Sequence, residues 1–353
     1  MAEVLTLDAI LFGILVFSGI LGNILVIYTV ILCAMESSSP HMPPSDLILL
    51  NLSLANLLTS LFRTVPIFIS DLGLEVSLET NWCRMFMLLW VWWRSVGSWA
   101  TLSLSIFHYT TLRRKHVAMG PLAQQKDRRH VVLALGVVWG TNLVFSLPAA
   151  FYSKHVSGNA TFDFMVISCT TRPLLGCMWE FPSRQQGVAF ASTSLALNEV
   201  LPLLLMVSIN IATLRALAKH IRMVTVGVEK GAAHVHTERK AGHVIMTLVA
   251  LFVICWVMQV AAVTYYNYNG GVHTEGLLTV SQFSASVFGG FSPIVVTFGH
   301  GKLRKRIMIM VQELCVWAGC RTTESEDNSK KKRALESTTV SYKQESQTKN
   351  VTM

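Results

Sequence analysis

The sequence predicts an all-α membrane protein, a bundle of seven transmembrane helices with its N-terminus outside and its C-terminus in the cytosol. Of its 353 residues, 52% are hydrophobic and only 14% are charged, which is too apolar for an ordinary soluble domain. Seven apolar stretches are each long enough to cross about 30 Å of hydrocarbon as a helix. The lysines and arginines, which give a formal net charge of +9, cluster mainly on one side of these stretches.

The seven predicted spans follow one another through residues 7–300. The second span comes after a proline-rich turn at Pro40, Pro43 and Pro44, which stops the preceding helix from continuing. The fifth span contains Pro202, which membrane helices tolerate. The predicted spans are Leu7–Cys33, Asp46–Ser70, Met85–Tyr109, Val131–Tyr152, Gly187–Leu214, Ala241–Tyr265 and Leu277–Phe298.

The distribution of lysine and arginine predicts the orientation. The connections after the third, fifth and seventh spans are basic, whereas residues 1–6, 71–82 and 267–276 contain no lysine or arginine. Because basic loops stay in the cytosol, the N-terminus is expected outside. The long outer loop, residues 153–186, contains Asn159 in an Asn-Ala-Thr sequence, a predicted glycosylation site on the outer face.

The region after the seventh span predicts a short amphipathic eighth helix on the membrane surface. Leu303, Ile307 and Met310 recur at helical spacing opposite Lys302 and Lys305. The polar residues that follow, rich in Ser, Thr, Lys and Glu, predict a disordered tail. The expected organisation is an extracellular segment 1–6, a bundle 7–300, a surface helix 301–320 and a cytosolic tail 321–353.

Motifs of several other classes are missing from the sequence. The seven cysteines show no CxxC or Cys/His spacing, so neither a metal site nor a cofactor is implied. The sequence has no basic face with interleaved aromatic residues, so nucleic-acid binding is not predicted. The spans lack HExxH, GxSxG and paired carboxylates, which argues against an enzyme. A membrane transporter or channel is the alternative function, although it would be expected to show internal repeats or broken helices.

The third span carries one formal charge in its apolar part. Arg94 lies eleven residues after Cys83, about 16 Å along a helix and near the middle of the bilayer. An arginine at that depth costs at least about 2.5–3.5 kcal/mol on insertion scales, so it should face a protein interior or a wet cavity. A guanidinium in such a cavity binds carboxylate or sulfate oxygens, which predicts a small anionic ligand. Trp90, one turn earlier on the same face, is expected to line the same site.

A purely structural role for Arg94 is the alternative interpretation. Arg94 would then neutralise Glu199 across the contact between the third and fifth spans, because charges inside a membrane commonly pair. Both roles coexist if a ligand anion competes for the guanidinium. Arg63, about two turns below the outer end of the second span, either adds a second positive contact or snorkels to the interface.

Several motifs together resemble those of vomeronasal type-1 receptors and the related olfactory receptor class A-like proteins, a group of G-protein-coupled receptors. The similarity covers roughly residues 21–302. The motifs are SPHMPPSDLILLNLSLAN at residues 39–56, Arg63-Thr-Val-Pro66, the third span from Cys83 through Arg94 to Phe107, Asn198-Glu199-Val200 and Phe291-Ser292-Pro293.

The sequence also departs from the pattern of most rhodopsin-like receptors. Asn56 replaces the aspartate that holds sodium in many of them, and FHY at residues 107–109 replaces the acidic-Arg-Tyr triplet. The tryptophan motif of the sixth span lacks its proline at residues 255–258, and Ser-Pro replaces Asn-Pro at residues 292–293. The absence of lysine from residues 277–298 excludes a retinal-binding opsin.

The resemblance implies a chemosensory receptor in the plasma membrane of sensory neurons. Such a receptor would bind a small odorant or pheromone outside and a heterotrimeric G protein inside, with lipid around it. The implied G-protein surface comprises His108, Tyr109, Arg113 and Arg114 together with the basic loop after the fifth span. Basic inner loops also set the topology of any membrane protein, so the alternative is that these residues only orient the chain in the membrane.

The resemblance also implies a disulfide between Cys83 and the long outer loop. Cys169 is the expected partner because it follows the Asn159 sequon much as the loop cysteine of the family does. Cys177 is the competing partner. The bond would tie the loop over the outer end of the third span.

Overall fold

A computed structural model describes most of the predicted bundle. It describes residues 7–36, 42–74, 76–114, 121–155, 175–226, 247, 250–262, 264–265, 275–299 and 301–317. The predicted extracellular segment 1–6, the glycosylation site Asn159, Cys169 and the tail 321–353 lie outside the described residues.

Helices make up most of the described chain. Two of the predicted spans, the second and the fifth, are each interrupted by a π-helical turn. The helices are α1 (Leu7–Met35), α2 (Pro44–Thr59), α3 (Val65–Asp71), α4 (Thr80–Arg114), α5 (Pro121–Phe151), α6 (Arg184–Leu195), α7 (Leu201–Val226), α8 (Ala250–Ala262), α9 (Glu275–Gly299) and α10 (Gly301–Trp317). The π-helical turns are Ser60–Thr64, between α2 and α3, and Ala196–Val200, between α6 and α7.

These helices coincide with the seven predicted spans. Four segments are long and apolar enough to cross a membrane by length and composition: Ala9–Met35, Pro44–Ile69, Gln125–Phe151 and Gln185–Ala216. The third span is α4, whose 35 residues extend over about 52 Å. The sixth and seventh spans contain shorter apolar helical segments, Ala250–Ala262 and Ser286–Thr297. The predicted all-α architecture is therefore what the structure has.

The helix α4 lies at the centre of the bundle. It packs against α2, α5 and α7, while α1 packs against α2 and α9. Large apolar side chains on the outer helices face away from the protein, such as Phe17 on α1, Val144 on α5 and Leu204 on α7. An apolar exterior of this kind suits lipid, because there is no water in the hydrocarbon region to make its exposure costly.

Polar contacts between the helices join the positions where the sequence departs from most rhodopsin-like receptors. Asn56 Nδ2 on α2 donates to Ser292 Oγ on α9 at 2.9 Å. Asn23 Nδ2 on α1 donates to the carbonyl of Gly289 on the same helix α9, at 3.2 Å. The two substitutions at Asn56 and Ser292 thus form a neutral amide–hydroxyl pair, and neither group is left without a partner in an apolar interior.

A second polar connection ties α4 to α5 and α2. Trp92 Nε1 donates to the carbonyl of Trp139 at 3.0 Å, and Trp139 Nε1 donates to Asn51 Oδ1 at 2.7 Å. The rings of Trp92 and Trp139 also meet edge to face, with centroids 5.6 Å apart. Trp92 is therefore a packing residue.

A short two-stranded antiparallel sheet, which we call the β-hairpin, packs against the end of α4 that carries Cys83. Strand β1 (Ser153–His155) follows α5 and pairs antiparallel with β2 (Cys177–Trp179), so that His155 lies opposite Cys177. Gly176, with φ +72°, turns the chain into β2, and a Cβ atom there would lie 2.7 Å from Ser77 Oγ. Only glycine fits this turn without displacing a neighbour.

The predicted disulfide partner Cys169 is wrong, because Cys83 is bonded to Cys177. The hairpin explains this choice: β1 packs against α4, and its register with β2 holds Cys177 at the outer end of that helix. The two Cα atoms are 5.3 Å apart, within the usual range for a disulfide. Cys83 and Cys177 are both buried in an apolar cluster with Phe86.

The helix α10 occupies most of the region in which the surface helix 301–320 is expected. The chain divides into two compact units, residues 1–303 and 304–353, and the larger part of α10 belongs to the second unit. Its location on the membrane surface stays a prediction.

Replacing either disulfide cysteine, Cys83→Ser or Cys177→Ser, should lower surface expression and the melting temperature. The bond joins cysteines 94 residues apart in the sequence, and disulfides typically contribute about 2–4 kcal/mol to the free energy of unfolding. Thermal unfolding of the purified protein and surface labelling of cells provide the measurements. The matched control is Cys169→Ser, which should behave like the wild type; a larger loss from this control than from Cys177→Ser would contradict the assigned bond.

Candidate functional site

Arg94 on the third span and Glu199 on the fifth form a buried ion pair. Arg94 Nη2 donates to Glu199 Oε1, and the two residues are only 5% and 4% exposed. Gln259 on the sixth span donates from Nε2 to Glu199 Oε2 at 2.9 Å. Both oxygens of the carboxylate are therefore occupied, and three spans meet at one point. We call Arg94, Glu199 and Gln259 the charge network.

The two π-helical turns each carry one of the buried charges predicted for the site. Arg63 lies in the turn Ser60–Thr64 of the second span, and Glu199 lies in the turn Ala196–Val200 of the fifth. Both side chains are buried. Single π-helical turns within α-helices are rare and are frequent at functional sites, because the wider turn redirects side chains from the helix surface.

The backbone hydrogen bonds show how these turns are closed. The N–H of Val65 donates to the carbonyl of Ser60, and the N–H of Leu201 donates to the carbonyl of Ala196. Each bond spans five residues instead of the four of an α-helix. The helix is therefore locally wider where the charged side chains enter the bundle.

A proline follows each π-helical turn at the same distance. Pro66 comes two residues after Thr64, and Pro202 comes two residues after Val200. Proline has no N–H to donate and its ring crowds the carbonyl four residues earlier, so the preceding turn must adjust. The two prolines are the sequence signal that could have indicated these turns.

Arg63 is buried and does not extend to the membrane interface. Its side chain is 2% exposed, among the largest fully buried side chains of the described bundle. A snorkelling arginine would leave its guanidinium at the surface of the protein. Its predicted role as a second positive contact for a ligand stays a prediction.

Trp90 is buried at the outer side of Arg94. It belongs to the apolar cluster that also contains Phe86, Met87 and the disulfide Cys83–Cys177. Trp90 is four residues before Arg94 on α4, so the two side chains share a helix face, as the sequence predicts. Its contact with a ligand stays a prediction.

Four polar atoms in or beside the charge network find no hydrogen-bond partner among the described residues. They are the donors Trp90 Nε1, Arg94 Nε and Trp256 Nε1 and the acceptor Gln259 Oε1, each with almost no exposed surface. An unsatisfied buried polar group costs about 1–3 kcal/mol, so natural proteins seldom leave several together without a purpose. A bound molecule with both acceptor and donor atoms would satisfy them.

Gln259 is the site residue that the sequence interpretation missed. It is fully buried and hydrogen-bonded to Glu199. The available signal was that Gln259 is the single side-chain amide between residues 241 and 265, an apolar span. Trp256, three residues earlier on α8, stacks on Phe252 with ring centroids 4.3 Å apart, so an aromatic block adjoins the network.

The residues predicted to contact a G protein lie at the opposite end of α4. Arg113 Nη1 donates to Tyr109 Oη at 3.2 Å, and its guanidinium carbon is 5.6 Å from the centre of the same ring. The ring of His108 meets that of Phe107 edge to face, with centroids 5.9 Å apart. Arg114 is the last residue of α4. Arg94 and Arg113 are separated by about 28 Å along the helix, so the two predicted sites are far apart.

No group of three or more His, Cys, Asp or Glu side chains within the described ranges is arranged to hold a metal ion.

Neutralising one member of the ion pair should destabilise the protein, whereas neutralising both should restore much of the loss. Arg94→Gln leaves a buried carboxylate without its cation, and Glu199→Gln leaves the cation without its carboxylate; breaking a buried pair costs about 3–5 kcal/mol. Thermal unfolding of both single variants and the double variant measures the coupling. Additive losses in the double variant would contradict a stabilising pair.

Comparison with known proteins agrees with this architecture. The family described as "7 transmembrane receptor (rhodopsin family)" matches residues 22–294. Olfactory receptor class A-like protein 4 of Danio rerio is 68% identical over 315 residues, which cover 88% of this chain and 92% of that protein.

More distant relatives are also receptors. The tachykinin-like peptides receptor 86C of Drosophila melanogaster is 23% identical, over 76% of this chain and 50% of that protein. Galanin receptor type 1 of Rattus norvegicus is 23% identical, over 70% of this chain and 64% of that protein. The predictions of a receptor rather than an enzyme, and of a resemblance to olfactory receptor class A-like proteins, are confirmed. The chain belongs to the rhodopsin family of seven-transmembrane, G-protein-coupled receptors.

Proposed function

We propose that this receptor is chemosensory: it binds a small anionic molecule from outside the cell at Arg94 and activates a heterotrimeric G protein inside. The extensive similarity to a protein named as an olfactory receptor supports the sensory role. The family match does not favour the alternative of a transporter or channel. The proposal includes a location in the plasma membrane of chemosensory neurons, with the outer loop glycosylated at Asn159.

The main support for the proposal is that the buried guanidinium of Arg94 has one N–H donor without a partner among the described residues. Arg94 uses Nη2 for Glu199, but its Nε has no partner among the described residues. Trp90 Nε1, on the same face of α4, is a second donor without a described partner. Two donors on one helix face, one of them on a cation, suit the oxygens of a carboxylate or sulfate.

The depth of Arg94 favours a small ligand. Arg94 lies about 16 Å along α4 from Cys83, and the disulfide fastens the β-hairpin over that end of the helix. Two distant relatives are named as receptors for tachykinin-like peptides and galanin, and a peptide would have to insert its terminus or an acidic side chain to reach such depth. The relative with 68% identity is named for olfaction instead.

Competition for Arg94 provides a mechanism. A ligand anion that binds Arg94 weakens its bond to Glu199, and this loosens the contact between α4 and the fifth span. Gln259 holds the other oxygen of Glu199, so the sixth span is affected as well. A ligand shifts a two-state bundle only through such differential contacts. The shift would be sensed by a G protein at His108, Tyr109, Arg113 and Arg114.

Responses to small carboxylates should require Arg94 and improve without Glu199. We expect Arg94→Gln/Glu199→Gln, the double variant designed to keep its fold, to lose the response to benzoate and hexanoate. Glu199→Gln alone should respond at a lower concentration than the wild type, because the ligand no longer competes with an internal carboxylate; a tenfold shift would correspond to about 1.4 kcal/mol. Ligand-evoked signalling in cells at matched surface expression is the measurement, and it should vanish without a co-expressed G protein. A double variant that still responds like the wild type would refute the site.

Removing the cations at the inner end of α4 should uncouple signalling from ligand binding. Arg113→Ala/Arg114→Ala is expected to reduce ligand-evoked nucleotide exchange severalfold while the ligand affinity stays unchanged, because these side chains are about 28 Å from Arg94. The control Arg128→Ala/Arg129→Ala removes the same charge from the neighbouring helix α5. Equal losses in both variants would indicate a general effect of basic charge on topology and contradict a specific contact.

A further inference from the structure

We infer that the receptor binds its acidic ligand together with one proton, which is held on Glu199. The inference rests on the proposed function, in which a ligand anion contacts Arg94. It concerns the form in which the ligand is recognised: the site is matched to a weak acid plus its proton rather than to a bare anion.

The charge of the buried site leads to this inference. Arg94 and Glu199 together carry no net charge, and both are at least nine-tenths buried. A bare anion added to the pair would leave a net negative charge near the middle of the bilayer, at a high desolvation cost. Two carboxylates that share one guanidinium are like charges in contact, which disfavours ionisation of both. Uptake of one proton keeps the site neutral.

The exchange is balanced in atoms and in charge. An undissociated carboxylic acid enters, its O–H bond breaks, and its carboxylate replaces that of Glu199 on the guanidinium of Arg94. The proton forms a new O–H bond at Glu199 Oε1, the oxygen that Arg94 releases. When the ligand arrives as an anion, the same proton comes from water. No charge is created inside the membrane in either case.

The amide of Gln259 is arranged to stabilise the protonated form of Glu199. Its Nε2 already donates to Glu199 Oε2 at 2.9 Å. Its Oε1, on the same planar amide, is an acceptor without a partner among the described residues. A carboxylate has no hydrogen to donate and therefore repels this acceptor. A carboxylic acid can donate its new O–H to Gln259 Oε1 while its other oxygen still accepts from Gln259 Nε2. Protonation of Glu199 would thus provide a donor for Gln259 Oε1, which has no partner among the described residues.

Few other ionisable groups are positioned to take the proton. α4 contributes Arg94 to Glu199, and α8 contributes the uncharged Gln259. The helices that continue the fifth span, α6 and α7, carry ionisable side chains only at Arg184 and from Arg215 onward. The other ionisable side chains to consider are the buried Arg63 of the second span and the thiol of Cys255 on α8. Neither can take up the proton, because a guanidinium and a thiol already carry theirs. A variant of Arg63 belongs in the test because this residue is a second buried cation.

The test measures protons bound per ligand, with the purified full-length receptor in lipid nanodiscs. Benzoate, hexanoate and benzenesulfonate are titrated by calorimetry in two buffers of different ionisation enthalpy. We expect uptake of one proton per anion. The dissociation constant should rise about tenfold per pH unit, hence about 100-fold from pH 6.5 to 8.5, since linkage gives one decade per proton per pH unit. Benzenesulfonate should follow the same slope, because it remains an anion throughout and its proton must come from water.

The variants separate this inference from the proposed function. Glu199→Gln should bind the anions without proton uptake and with a dissociation constant independent of pH, whereas Arg63→Gln should keep the proton linkage. Anion binding to the wild type without proton uptake would overturn the inference and leave the proposed function standing. Failure of all three anions to bind, or unchanged binding by Arg94→Gln/Glu199→Gln, would overturn both. The proton count of the wild type decides the question even where Glu199→Gln fails to fold.

Discussion

The ion pair between Arg94 and Glu199 constrains the rest of the described bundle. Neither charge can be left alone in hydrocarbon, so the third and fifth spans must meet at this depth, and Gln259 brings the sixth span to the same point. Apolar residues of similar volume would often give equal or greater stability than a buried ion pair. Stability alone therefore does not account for the presence of both charges, which agrees with the proposed binding of an anion at Arg94.

Glu199 lies in a π-helical turn of the fifth span, and the buried Arg63 lies in a similar turn of the second span. The turns Ser60–Thr64 and Ala196–Val200 replace regular α-helical hydrogen bonds with longer ones, which gives up ideal helix geometry. The bundle tolerates this because Pro66 and Pro202 have already removed a hydrogen-bond donor just beyond each turn. Each turn then directs a charged side chain, Arg63 or Glu199, into the protein interior.

The features that could be predicted from the sequence are those that avoid a large energetic cost within the membrane. The spans follow from the length of apolar stretches, and the partnership of Arg94 with Glu199 follows from the cost of unpaired charge. Cys177 could not be distinguished from Cys169, because the choice depends on the register of a hairpin formed by residues far apart in sequence. Gln259 was missed because a neutral amide is tolerated in a membrane helix and many partners would satisfy it.

A neutral contact joins the second and seventh spans, and this limits how a signal can pass between them. Asn56 and Ser292 form an amide–hydroxyl pair between α2 and α9, where many related receptors have an acidic group. A change in the charge network cannot be transmitted through such a pair by rearranging ions. The route that the contacts offer is packing: the long helix α4, and the aromatic cluster in which Phe252 stacks on Trp256 and Phe288 meets Trp256 edge to face, between α8 and α9. Close-packed side chains shift between discrete arrangements, which is what a two-state receptor requires.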